Sequence, residues 1–135
     1  MIADLFNSST IPVLEQVVNF AQTRHQILAG NLANLDTPGY RTRDLSTEKF
    51  EANLREAINA RDHGKVRSLG SPTAQLNPFS SVRDSLESIV RHDDANVGLE
   101  QQIMEIAKNQ MQHDLAMTMM NNQLQLLGAA ISERA

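Results

Sequence analysis

The 135-residue chain has no cysteine, no tryptophan and one tyrosine, Tyr40. Without thiols there is neither a disulfide framework nor a thiolate metal site, and the redox compartment stays open. Aromatic residues make up 4% of the chain, so a sandwich or barrel centred on large rings is not expected. The apolar content comes instead from Leu, Ile, Val, Ala and six Met, which suit helix seams. Twelve Lys and Arg face sixteen Asp and Glu, for a net charge of -4 with the signs interspersed. That leaves no basic stripe to neutralise phosphates, and nucleic-acid binding is not expected. No apolar run approaches the roughly 20 residues that cross a bilayer, so no direct membrane insertion is expected. Met1-Ile2-Ala3-Asp4-Leu5-Phe6 lacks a basic n-region, a continuous apolar stretch and a small-residue cleavage site, so a cleaved secretory signal is not expected.

Catalytic spacing is also missing. The four histidines, His25, His63, His92 and His113, form no HxxxH, HExxH or HxH pattern, and the six glycines are scattered rather than gathered in a phosphate loop. His92-Asp93-Asp94 reads as a solvated cap region rather than a cation site. The expectation is no enzyme activity, no cofactor and no metal.

What the chain does have is helical periodicity. Thr10 followed by Pro12 marks a helix start, with proline in the first turn where its missing N–H costs nothing. From Ile11, the residues Leu14, Val18, Ala21, His25, Leu28, Leu32 and Leu35 repeat at alternating spacings of three and four, a heptad seam interrupted at His25. Thr37-Pro38-Gly39-Tyr40 cannot continue the helix. Pro38 and Gly39 are the residues a type II turn wants at its centre.

The middle is less regular. Residues 47–61 read as a short amphipathic helix, with Phe50, Leu54, Ala57 and Ile58 on one face. From His63 to Ser81, Gly64, Gly70, Pro72 and Pro78 mark a loop. Residues 82–91 fit either a helical turn or a short strand. A second long helix is predicted from about Val97 to Ser132, after the candidate caps in His92–Asn96. Its seam runs through Leu99, Ile103, Ile106, Gln110, His113, Met117, Met120, Leu124, Leu127 and Ile131. Met104, Met111, Leu115, Met119 and Leu126 form an adjacent stripe. Two stripes exceed what one antiparallel partner covers, so the surplus is expected to face other chains; the alternative is that the middle folds over it.

The predicted fold is therefore mainly α: long N- and C-terminal helices paired as an antiparallel coiled-coil hairpin with a short irregular middle segment. A discontinuous helical core domain of residues 1–40 plus 93–135 would carry a middle segment of residues 41–92. Pairing the outer ends sets His25 near His113 and Met117, either as a pH-sensitive pair or as seam fillers. Asn31 and Asn34, three residues apart, share a helix face. They read either as a C-terminal cap or as a polar latch fixing register against another helix.

The segment Arg24 to Asp44 (RHQILAGNLANLDTPGYRTRD) resembles the signature of the bacterial flagellar rod and hook protein family. The match lies in an ANxxTPGY(K/R)xxD form carried here by Ala33, Asn34, Thr37, Pro38, Gly39, Tyr40 and Asp44, with Asn31 just before it. Asn96-Val97-Gly98-Leu99-Glu100 and Asn109 resemble the family's last-helix motif. Gln102 stands where relatives commonly have Glu, and His113 where Tyr is usual. The short length is most similar to the family's proximal-rod members, because hook and distal-rod relatives carry larger inserted β domains.

The resemblance implies a structural subunit of the flagellar basal body. It would be exported by the flagellar type III apparatus without signal cleavage and assembled in the periplasm through its terminal helices. The implied partners are copies of itself, other rod proteins, the membrane ring and its adaptor. Ile2, Leu5 and Phe6 are candidates for a hydrophobic export element. A soluble helical adaptor or export chaperone forming a coiled-coil oligomer stays open as an alternative.

Overall fold

The computed structural model describes residues 8–67, 79, 82, 86, 88–90 and 98–133. Helix α1 spans Ile11–Ala33. Pro12 sits in its first turn, and the Ser9 hydroxyl, rather than that of Thr10, accepts the Ile11 N–H at 3.2 Å. The helix ends where the Asn34 side chain donates to the Gly30 carbonyl at 2.9 Å. The turn predicted at Pro38-Gly39 follows: Tyr40 N–H bonds the Thr37 carbonyl at 3.2 Å, and Gly39 takes the positive φ of 76° that a side chain would strain.

Strand β1 (Arg43–Leu45) leads into helix α2 (Thr47–Arg67). Ser46 caps α2, its hydroxyl accepting the Lys49 N–H at 3.2 Å and donating to the Glu48 carboxylate at 3.1 Å. The Glu48 carboxyl is held below its usual range, chiefly by its own backbone N–H and then by Ser46. The loop expected from His63 is corrected at its start. α2 continues through His63 and Gly64, because one interior glycine costs only about 1 kcal/mol relative to alanine and does not stop a helix.

Strand β2 (Ser88–Val90) pairs antiparallel with β1, setting Arg43 opposite Val90 and Leu45 opposite Ser88. Of the segment 82–91, read as either a helical turn or a short strand, Ser88–Val90 form a strand and Val82 is helical. Helix α3 spans Leu99–Ser132, 34 residues, or roughly 50 Å at about 1.5 Å per residue. Asn96, Val97, Ile2, Leu5 and Phe6 lie outside the described residues.

The apolar core gathers Phe20 of α1, Leu45 of β1, Phe50 and Ala57 of α2, and Phe79 and Val82. The Phe20 and Phe50 rings stack at 4.1 Å between centroids. On its other side α1 packs along α3. Partner numbers fall along α3 as those of α1 rise: Ala21 meets Asn109 and Arg24 meets Glu105.

The seam assignments need correction. On α1, Leu28 is buried and Leu14, Val18 and Leu32 are half-buried, but His25 is exposed and Arg24 takes the buried position. α1 serves two partners at once, so its buried arc is wide and turned away from a simple a/d line. On α3, Ile106 and His113 are half-buried as expected, whereas Ile103, Met117 and Leu124 are exposed. The positions facing inward are one residue earlier: Gln102, Asn109 and Ala116 are buried, continued by half-buried Gln123. The physical reason is spacing. The short amide of Asn109 reaches the Ala21 carbonyl at 2.7 Å, which requires close backbones. Large side chains at that seam would push the helices apart.

Replacing Phe50 by Ala should lower unfolding free energy by about 3 kcal/mol through loss of the stacked core ring. Leu124→Ala, at an exposed position, should change it by no more than about 0.5 kcal/mol. Urea unfolding followed by circular dichroism checks both. A large cost at Leu124 in the isolated chain would restore the seam read from periodicity.

Candidate functional site

The charged centre of the molecule is Arg24. Its guanidinium holds Asp44 with two bonds, Nε to Oδ1 at 2.8 Å and Nη2 to Oδ2 at 3.0 Å. The same Nη2 donates to Glu105 at 2.8 Å. One side chain on α1 therefore fastens β1 and α3 together. All three groups are largely withdrawn from solvent, with side-chain exposures of 8% for Arg24, 10% for Asp44 and 19% for Glu105. The hydrogen bond to Asp44 is the main cause that raises the Arg24 pKa above its ordinary value, against the opposing effect of burial. Asp44 also accepts the Leu45 N–H at 2.8 Å, which orients the carboxylate.

Two turns further along α1, Asn31 is 1% exposed. Its amide N donates to the Arg43 carbonyl at 2.6 Å, and its Oδ1 accepts the Arg43 N–H at 3.0 Å. The side-chain amide thus pairs with both backbone groups of Arg43 as a neighbouring strand would. Tyr40 adds its hydroxyl to the same Oδ1 at 3.2 Å. The two readings of the asparagines divide between them. Asn34 is the helix cap, also accepting the Thr37 hydroxyl at 3.3 Å. Asn31 is a latch, but onto β1 of its own chain rather than onto another helix.

The remaining signature residues, Ala33, Thr37, Pro38, Gly39 and Tyr40, lie on the exposed side of this corner. Asn109, in the C-terminal motif, is fully buried and bonded to Ala21. Its Oδ1, like Oε1 of buried Gln102, has no hydrogen-bond partner among the described residues. His113 is half-buried at 3.4 Å from the exposed Asp114 carboxylate, while His25 faces solvent, so the structure does not make the two histidines a buried pair. Arg24 and Glu105 escaped the sequence reading as site residues. The available signal was Arg24 itself, a charge exactly one heptad before Asn31 on the same helical face.

Among the described residues no group of three His, Asp or Glu is placed to hold a metal ion, and no helix is long and apolar enough to cross a membrane. The arrangement is a mechanical joint: charge-assisted bonds fix the angle at which the chain leaves α1 and the position of α3 beside it.

No family model matches the chain, and no solved structure matches it. Curated proteins do. A flagellar basal body rod protein FlgB of Aquifex aeolicus is 28% identical over 132 residues, covering 98% of both chains. The FlgB of Bacillus subtilis is 26% identical over 128 residues, covering 93% of this chain and 95% of that one. The FlgB of Escherichia coli is 26% identical over 121 residues, covering 82% and 83%. Over nearly its whole length the chain is thus similar to flagellar basal body rod proteins. Those relatives are structural rod proteins, not enzymes. In this chain, Asn31, Tyr40 and Asp44 of the signature are the residues that bond across the corner, and Arg24 supplies a cation that Asp44 binds.

Arg24→Leu should destabilise the chain by about 3 kcal/mol, because two partly buried carboxylates lose the guanidinium that bridges them. Asn31→Ala should cost about 2 kcal/mol, since it removes a buried amide that pairs with both the Arg43 N–H and the Arg43 carbonyl. Asn34→Ala should cost about 1 kcal/mol or less as a lost cap. Chemical denaturation of the three variants measures the order, and equal costs at Asn31 and Asn34 would refute the latch.

Proposed function

We propose that this chain is a structural subunit of the flagellar basal-body rod, placed in the proximal rod where it helps connect the membrane ring to the rest of the rod and carries torque. The reading is supported most by one observation: α3 exposes a long apolar surface, including Met104, Met111, Leu115 and Leu126, on a chain whose relatives are rod proteins. An isolated soluble protein rarely keeps so extended an apolar face uncovered. In this role α1 and α3 act as an antiparallel coiled-coil hairpin, favoured by the falling order of contacts from Ala21–Asn109 to Arg24–Glu105.

Residues 1–40 and 93–135 form the helical core, and residues 41–92 the middle segment. The Asn31–Asp44 corner serves assembly by holding that hairpin at a set angle. Asn96, Val97 and Asn109 belong to the entry and seam of α3. Neighbours are copies of the chain, other rod proteins, and the ring with its adaptor. Delivery is through the flagellar type III export apparatus to the periplasm without a cleaved signal, with Ile2, Leu5 and Phe6 as the export element.

Removing the gene from its own bacterium should abolish swimming, and restoring it should recover both swimming and the chain in isolated basal bodies. Swimming that persists without the gene, in a strain with no second copy, would refute the rod reading. Deleting residues 2–6 should leave the intracellular level of the chain intact and eliminate its secretion. Secretion at the wild-type level would remove the export role from Ile2, Leu5 and Phe6.

A further inference from the structure

The fully buried positions of α3 fall on one heptad line. Gln102, Asn109 and Ala116 recur every seven residues, and none is more than 3% exposed. None of the three carries a large apolar side chain. A line of small and polar groups at heptad spacing looks much the same after a slip of one heptad, so shape alone does not choose the register.

The observed pairing sets Asn109 opposite Ala21 and Glu105 opposite Arg24. Sliding α3 by seven residues moves it about 10 Å along α1. One slip brings Gln102 to Ala21 and Gly98 to Arg24; the other brings Ala116 to Ala21 and Gln112 to Arg24. Neither Gly98 nor Gln112 offers Arg24 a carboxylate, and Ala116 offers Ala21 no amide. Both cross-links therefore belong to the observed register. The Asn109 amide reaches the Ala21 carbonyl at 2.7 Å, while Asn109 Oδ1 has no hydrogen-bond partner among the described residues. A carboxamide buried in this way lowers stability relative to an alanine of the same seam. Its contribution is selectivity.

We infer that Asn109 sets the register of α3 on α1, with Glu105, one turn away, as a second pin acting through Arg24. Single buried asparagines give helix seams a unique register at a cost in stability. The inference deepens the hairpin reading and rests on it. Register matters to the whole subunit, because a slip of one heptad carries the exposed side chains of α3, Met104 and Leu126 among them, about 10 Å along the molecule.

The chain has no cysteine, so cysteines put in place of Gln22 on α1 and Gln125 on α3, both exposed, each take one spin label. Extending the observed pairing puts the two positions about 25 Å apart along the helix axis. Pulsed dipolar spectroscopy on the full-length labelled chain, diluted with unlabelled chain, reads that separation within one molecule. The unaltered seam should give one distance. Asn109→Ala should keep its helicity and add distances about 10 Å away from the first. A four-fold exchange variant moves both pins without changing composition: Asn109→Ala with Ala116→Asn, and Glu105→Gln with Gln112→Glu. Its main distance should be about 10 Å shorter, because Ala21 and Arg24 then find their partners one heptad later.

An exchange variant that keeps both its helicity and the wild-type distance overturns the role of Asn109. Loss of helicity in Asn109→Ala overturns it too, since a residue that only selects register is not required for folding. Should the exchange variant itself lose helicity, Asn109→Ala decides, and a single unchanged distance there overturns the inference. The hairpin fails differently: an unaltered seam with no distance near the expected length overturns the hairpin and the register together.

Discussion

One guanidinium holds three parts of the chain in relation. Arg24 binds Asp44 at the head of the middle segment and Glu105 on the last helix, so the angle between those parts depends on a side chain that belongs to neither. Ion pairs withdrawn from water return little net stability once desolvation is counted, but breaking one leaves an uncompensated charge. The value of such a joint is geometric: it permits one arrangement and penalises others.

The packing around Arg24 explains how a chain with so few aromatics holds together. Phe20, Phe50 and Phe79 are spent in one cluster beneath α1, α2 and the segment near β2. The α1–α3 contact is made differently, with Asn109, Ala116 and Gln102 allowing close approach. Many of the larger apolar residues of α3, Met104, Met111, Leu115 and Leu126 among them, are thereby left exposed, while Ile106, Met120 and Leu127 are half-buried. Polar and small residues inward with large apolar residues outward inverts the usual arrangement of a two-helix hairpin.

Much of this was legible in the residues. The existence and approximate bounds of α1 and α3 followed from long, strong periodicity, and the turn at Pro38-Gly39 followed from the one residue type that accepts its positive φ. The Asn31-to-Asp44 segment stood out because its residues suit a corner and resemble a family signature. Less could be read in the middle. Strands of three residues are too short for a period, and Gly64 looked like a stop although a helix absorbs it.

By itself, the sequence determined that the chain is helical, which segments are the long helices, where the first one turns, and which family the corner resembles. These depend on local backbone preference and on repeats along the chain. Only the tertiary structure decided which face of each helix is inside. Periodicity assigned Ile103, Met117, Leu124 and His25 to the seam, but Gln102, Asn109, Ala116 and Arg24 occupy it. The choice rests on how closely two backbones approach and on which amides and charges find partners across the gap. Those are long-range matters, between residues as far apart as Ala21 and Asn109, that no local pattern contains.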